Sequence, residues 1–378
     1  MAVPTLDTNT EFAAAFVRYG PGVEVIEAGE SDLFRRIADV MLAAREKTEA
    51  RYDRPVRASH LKALGLLRAT LTVPPDLAPE LAQGLFAVPT DYDAVIRLSH
   101  VPAEFLDDRG ASTPRGMAIK VFGVPGPMLP GHEGAATQDF VLDTGAAFNM
   151  PNARAFLAAI TGTEVATFLP ERVKAGVSAA ARAANKILNL AGADSLNLDF
   201  YGHPRLHPLG ERYHSQAPIR WGDYLAKLAV VPAVAPPAEA GVPDAPDGLR
   251  EAVSGWLAAN DAEYRLMVQL CTDLAQMPVE NAHAIWPEEE SPFREVGRLR
   301  ITRQPAWTKA RERAADALSF TPWHAMLAHR PLGQVMRARR YVYDVLSRAR
   351  GASGPEPESA EAALDPGRKS VAGRLPAG

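Results

Sequence analysis

Ala94-Val95-Ile96-Arg97-Leu98-Ser99-His100 is the stretch on which the reading of this chain turns. Its alternation places Val95, Arg97 and Ser99 on one face of a strand and Ile96 and Leu98 on the other. An arginine and a hydroxyl thus leave together from a strand whose opposite side is apolar. They form either the wet face of an edge strand or a pair of donors aimed at an anionic ligand. Similar short runs lie to both sides: Leu67 to Val73, Met117 to Val124 and Gln138 to Asp143. Turn-forming pieces, Pro74-Pro75-Asp76 and Val124-Pro125-Gly126-Pro127, separate them, the texture of antiparallel strands. Further along, Tyr224 to Val231, Tyr264 to Cys271 and Val296 to Ile301 repeat the pattern.

Helical segments frame these runs. From Ser31 to Ala50 the positions Leu33, Phe34, Ile37, Val40, Met41 and Ala44 recur at helical spacing, with Ser31 placed to cap the first turn. Helical texture returns at Asn152 to Ile160 and Pro170 to Leu190, and a last helix runs from about Leu332 to Arg350, closed by Gly351. The Pro/Ala-rich piece Val231 to Asp247 reads as an extended surface link. The expected class is α+β, a largely antiparallel sheet or β-barrel with flanking helices. Residues 1–50 are then an N-terminal arm and helix, 51–350 the barrel domain, and 351–378 a tail whose Gly, Pro, Ser and charge content predicts disorder.

Composition narrows the function. The 378 residues carry 41 basic and 45 acidic side chains, a net charge of −4, which argues against nucleic-acid binding through a basic face. Of the basic residues 33 are Arg, the better partner for a buried anion. Cys271 stands alone, so no intrachain disulfide stabilises the fold. Met1 to Phe16 contains Asp7 and Glu11 and does not resemble a signal peptide, and no stretch reaches the ~20 apolar residues of a membrane helix. The expected setting is the cytoplasm and the expected partners are small molecules, with monomer and homo-oligomer both open.

Three features carry chemistry. Arg57-Ala58-Ser59-His60 sits ahead of the first strand run; a neutral imidazole there can take a proton from a bound substrate and return it to a leaving oxygen. Standing alone, it is equally a surface or capping histidine. Arg97 and Ser99 are the second feature, Arg97 toward an anion and Ser99 orienting the histidine ring. The third is Arg339 and Tyr343, four apart on one face of the last helix, where a guanidinium on a phenol favours the phenolate that ligates ferric iron. Tyr341 lies about 200° around the helix with Arg337, Asp344 and Arg348, a more polar set, so Tyr343 is the one assigned to a pocket. The same spacing also occurs at Arg220/Tyr224 and Arg337/Tyr341, and packing tyrosines are the alternative. His203, His207 and His214, with His324 and His329, are read as loop histidines and not a zinc site, because Pro204 and Pro208 break any helix there. No Gly-rich phosphate loop is present.

The order of these features resembles the haem catalases and their shorter catalase-like relatives, the catalase-related peroxidases. The similar blocks are Arg57 to Lys62, Arg97-Leu98-Ser99, Pro114 to Lys120, Thr137 to Phe148, and Ser319 to His324 with His329 to Gly333 leading into Arg339, Tyr343 and Arg350. The resemblance implies a catalase-like antiparallel β-barrel with a C-terminal haem-ligand helix. It implies haem b as cofactor, His60 as the distal acid/base, Ser99 as its partner and Tyr343 as the ligand to iron with Arg339 on its oxygen. Arg57, Arg97 and Arg350 correspond to arginines that hold the propionates or support the proximal side, and Phe140 and Phe148 to aromatic residues against the haem. The implied activity is that of a haem peroxidase or catalase-like oxidoreductase acting on hydrogen peroxide or organic hydroperoxides with a reducing co-substrate.

The pattern departs at one point. Catalases carry an Asn shortly before the threonine that corresponds to Thr137; here the window reads Gly134-Ala135-Ala136 and the nearest amide is Gln138. The missing donor favours organic hydroperoxides over hydrogen peroxide disproportionation, or rearrangement of fatty-acid hydroperoxides as in the related allene oxide synthases. A haem-binding protein without turnover is the reading from a different class.

Overall fold

The structure, a computed structural model of the chain, describes residues 16–53, 55–110, 112–163, 171–190, 202–237, 240–352, 354 and 356–365. Helix α1 (Glu30–Tyr52) leads into four strands, β1 (Ala63–Val73), β2 (Thr90–His100), β3 (Arg115–Phe122) and β4 (Thr137–Asp143). Helices α2 (Ala153–Thr163) and α3 (Glu171–Leu190) follow, then β5 (Tyr213–His214), β6 (Ile219–Trp221) and β7 (Tyr224–Val234). Helix α4 (Gly248–Ala259) precedes β8 (Ala262–Leu270) and β9 (Arg294–Ile301). The described chain ends with α5 (Lys309–Ala317), α6 (Gln334–Ala349) and α7 (Ala360–Leu364).

Every strand pairing is antiparallel, in the order β5-β4-β3-β2-β1-β9-β8-β7-β6, and a further β5–β7 pairing closes the sheet. Eight strands therefore form a barrel, with β6 a short hairpin on β7. Closure leaves no long unpaired edge. The pleat sorts residues by parity: Leu67, Ile96, Leu98, Met117, Ile119 and Phe140 fill the barrel, whereas Val95, Ala118 and Val141 face outward against α5 and its neighbours. The registers Ser99↔Gly116, Arg97↔Ala118 and Ala118↔Val141 align this outward face across three strands.

Helices α1, α2 and α6 pack together through Leu33, Phe34, Ile37, Ala153, Leu157, Ala338 and Val342. Arg337 at the start of α6 ties this layer down, ion-paired to Glu24 (2.8 Å), Glu30 (2.6 Å) and Glu280 (3.0 Å). The glutamate oxygens accept from both ends of its fork, which fixes the helix's rotation as well as its position.

Two expectations change. Tail disorder from residue 351 onward does not hold for 356–365: Ala360 and Ala363 are buried against Ala314 and Ala315, and Glu356 reaches the buried Lys120 ammonium at 2.8 Å. A polar, Pro-containing segment is ordered here because the barrel supplies its partners. The Val231–Asp247 link is a strand as far as Val234, and the Pro246 carbonyl accepts from Lys62 Nζ at 2.7 Å. The readings made on residues 1–15 and 366–378 lie outside the described residues.

Candidate active site

Outside the barrel, between β2–β4 and α6, lies a cavity of about 740 Å³ including the solvent at its mouth. Arg57, His60, Arg97, Ser99, Tyr343 and Arg350 all line it. These residues come from one loop, one strand and the last long helix with its C-cap, spread over almost 300 positions from Arg57 to Arg350, so only the closed fold assembles them.

His60 precedes β1 in the left-handed backbone region, at φ +52°, a conformation a non-glycine residue keeps only when its surroundings hold it. Its Nδ1 is 3.1 Å from Ser99 Oγ. Burial, followed by the positive charges of Arg97, Arg339 and Arg57, pushes the imidazole down to about 3, so it is neutral near pH 7. Gly116, opposite Ser99, makes room for this pair: a β-carbon at 116 would stand 2.4 Å from His60 Nδ1 and 3.0 Å from Ser99 Oγ.

Tyr343 approaches from α6. Its oxygen accepts from Arg339 Nη2 at 2.7 Å, and the same guanidinium lies 5.1 Å from the ring centroid. Tyr341, two residues earlier, is 42% exposed and points away.

The cavity's cations are underpaired. Arg57 donates to the carbonyls of Ala315 (2.8 Å) and Leu318 (2.6 Å), and Arg350 to those of Asp316 and Leu318, so both cap the C-terminal end of α5. Nε of Arg57 and Nε of Arg97 are buried with no partner. Burial and mutual repulsion lower all three guanidiniums, Arg97 to about 10 and Arg350 to about 9, and Asp316 is the carboxylate that acts on each of them. With Asp316 set against these three guanidiniums and Arg339 also close to His60, the cavity holds an excess of positive charge, which a bound dianion would offset. Orphaned donors, the excess positive charge and a phenol oxygen across the cavity fit haem with its two propionates; Arg57, Arg97 and Arg350 would hold the carboxylates and Tyr343 the iron.

Phe140 and Phe148 do not line this cavity. Phe140 has inward parity and packs in the barrel core, its ring 6.1 Å from that of His329, while the next residue, Val141, reaches the cavity. Phe148 packs against Phe156 of α2 in a tilted pair, ring centroids 5.5 Å apart. Thr137 and Gln138 are committed elsewhere as well. Thr137 Oγ1 bonds His324, and Gln138 accepts from Met326 N (2.8 Å) while donating to Asp139 O (2.9 Å). The lining from these segments is Met117, Ala118, Val141, Leu142, Ser319 and Phe320. His203 pairs with Glu211, and His207 accepts from Leu209 N at 3.2 Å.

Sequence reasoning passed over Gly116 as a site residue, since one sequence carries no mark of what its missing side chain would strike. Asp316 and the capped end of α5 were also passed over.

With this geometry in place, the architecture is recognisable as the catalase fold. A fungal catalase matches with a TM-score of 0.56 and 16% identity, over 89% of this chain and 66% of its own. Catalase A from Saccharomyces cerevisiae matches equally well, at 0.56 and 16%, over 89% of this chain and 67% of its own. This chain thus spans about two thirds of the length of those catalases. No protein-family model matches the sequence, and no curated protein matches it.

Proposed function

We propose that this protein is a haem-dependent oxidoreductase that reduces peroxides at the His60–Tyr343 cavity, using a reducing co-substrate. The observation that carries the reading is the convergence, on one cavity, of a neutral histidine with a fixed partner, a guanidinium-held phenol and buried arginines with unpartnered donors. When bound, haem would supply the redox chemistry for reducing the O–O bond, its electrons restored by the reducing co-substrate.

The chain's own residues supply the rest. With Nδ1 held by Ser99, Nε2 of His60 is the atom that takes the peroxide proton and returns it to the leaving oxygen. Tyr343, oriented by Arg339, would offer its oxygen to the iron. Arg57, Arg97 and Arg350 would hold the cofactor by pairing its carboxylates.

With Thr137 and Gln138 bonded elsewhere, neither offers a donor beside His60, and the cavity they share no part in is lined largely by apolar residues, Met117, Ala118, Val141, Leu142 and Phe320 among them. This favours organic hydroperoxides, whose carbon portion buries against that lining, over hydrogen peroxide disproportionation. The same lining suits isomerisation of a hydroperoxide, which would form product without consuming the reductant.

Protein expressed with a haem precursor should show a Soret band and a high-spin ferric spectrum with a phenolate ligand. It should oxidise a reducing dye faster with an alkyl hydroperoxide than with hydrogen peroxide. His60→Ala should retain haem and lose this activity by ~10²–10⁴-fold; unchanged activity would point to a haem carrier, and a colourless protein that fails to bind added haem would end the reading.

A further inference from the structure

Strand β2 and the residue just after it grip His60 at three points. Arg97 Nη2 donates to the His60 carbonyl at 2.8 Å and to the Leu61 carbonyl at 3.2 Å. Ser99 Oγ meets ring Nδ1 at 3.1 Å. The Val101 carbonyl accepts from His60 N at 2.6 Å. Arg97 and Ser99 share a face at the two-residue repeat of β2, and with the Val101 carbonyl just beyond the strand they hold the carbonyl, the ring and the amide of a single residue. That residue is the one held at φ +52°. Arg57 and Arg350 bond to the end of α5 instead, with no bond to His60.

We infer that Arg97 is a positioning residue for His60: its Nη2 fixes the strained backbone that aims the imidazole, while its unpartnered Nε remains for the ligand's carboxylate. The inference rests on the proposed role of His60 and separates the three cavity arginines by task. Arg57 and Arg350 join the ligand to α5, whereas Arg97 joins it to the histidine. The charged and titratable groups around the ring are Arg57 on its own loop, Arg97 on β2, Arg339 on α6 and the buried His100.

The test compares Arg97→Lys with Arg350→Lys, both retaining a cation. In haem-free protein labelled with ¹⁵N-histidine, the His60 ring signals, assigned by their loss in His60→Gln, report the tautomer. Wild type and Arg350→Lys should show one tautomer, and Arg97→Lys a mixture, because the shorter lysine does not carry its ammonium to the place from which Arg97 Nη2 reaches both carbonyls. After loading, Arg97→Lys should react with hydroperoxide at least tenfold more slowly per bound haem, with haem affinity lowered no more than in Arg350→Lys. A single unchanged tautomer together with an unchanged rate per bound haem would overturn the inference. If Arg97→Lys does not fold, Arg97→Gln is read in the same assay, and an unchanged tautomer with an unchanged rate per bound haem overturns it equally. Failure of the parent reading looks different: wild type would not take up haem, or His60→Gln would react as fast as wild type, whatever the ring signals show.

Discussion

Gly116 lies directly against the His60–Ser99 pair, so close that any β-carbon there would sit 2.4 Å from Nδ1 of the histidine. Its φ is not among the positive values of the chain, so the backbone at 116 accepts any residue and the restriction is purely one of space. The opposing bodies are a buried ring and a hydroxyl that are themselves bonded together.

Gly116→Ala is therefore expected to push the imidazole off its partner while leaving the barrel intact. Hydroperoxide turnover should fall at least tenfold with the Soret band retained, as measured by steady-state dye oxidation and haem titration. Turnover within twofold of wild type would mean that the ring does not need this placement.

The neutral state of His60 sets a pH dependence. Its folded value, about 3, lies below the ordinary 6.5, so the unfolded ring binds a proton in a window where the folded ring does not. This contribution is fully present above pH 6.5 and is lost as pH falls from there toward 3. Between pH 7 and pH 5 the His60→Gln variant should lose less stability than wild type, by up to about 2 kcal/mol in urea unfolding. Equal losses in the two proteins would contradict the neutral assignment.

Tyr343→Phe should abolish the phenolate signature of the loaded protein, and Tyr341→Phe should leave it unchanged, because only the first tyrosine lines the cavity. The visible spectra of the two variants, recorded side by side, decide this; the reverse pattern would reassign the axial position.

The segment around α7 should matter to the cavity although none of its residues lines it. Ala360 and Ala363 pack on Ala314 and Ala315 of α5, whose last carbonyls are held by Arg57 and Arg350. A chain ending at Gly351 should bind haem about tenfold more weakly, a change of about 1.4 kcal/mol, with the rate per bound haem preserved. Unchanged affinity would show that α5 holds its end unaided.

Much of this was legible in the sequence, for identifiable reasons. The parity of Arg97 and Ser99 and the four-residue spacing of Arg339 and Tyr343 are properties of one strand and one helix, and such local geometry survives folding. Phe140 was misplaced because its facing depends on the pairing of Ala118 with Val141, a one-residue matter that no local pattern fixes. Helix α5, Lys-Ala-Arg-Glu-Arg-Ala-Ala-Asp-Ala, escaped notice because it buries only Ala314 and Ala315 and carries no broad apolar stripe. The ordered piece of the tail escaped because its stability comes from Lys120 and two alanines far away in the chain.

The three guanidiniums around the cavity carry a consequence for the life of the chain. Tied to backbone carbonyls, they stand in place before any ligand arrives and repel one another across the space between them. A dianion that removes this repulsion binds the folded state alone and stabilises it by mass action. If haem is that dianion, as proposed, the ligand-free chain is the more fragile form and the one more readily cleared by proteases.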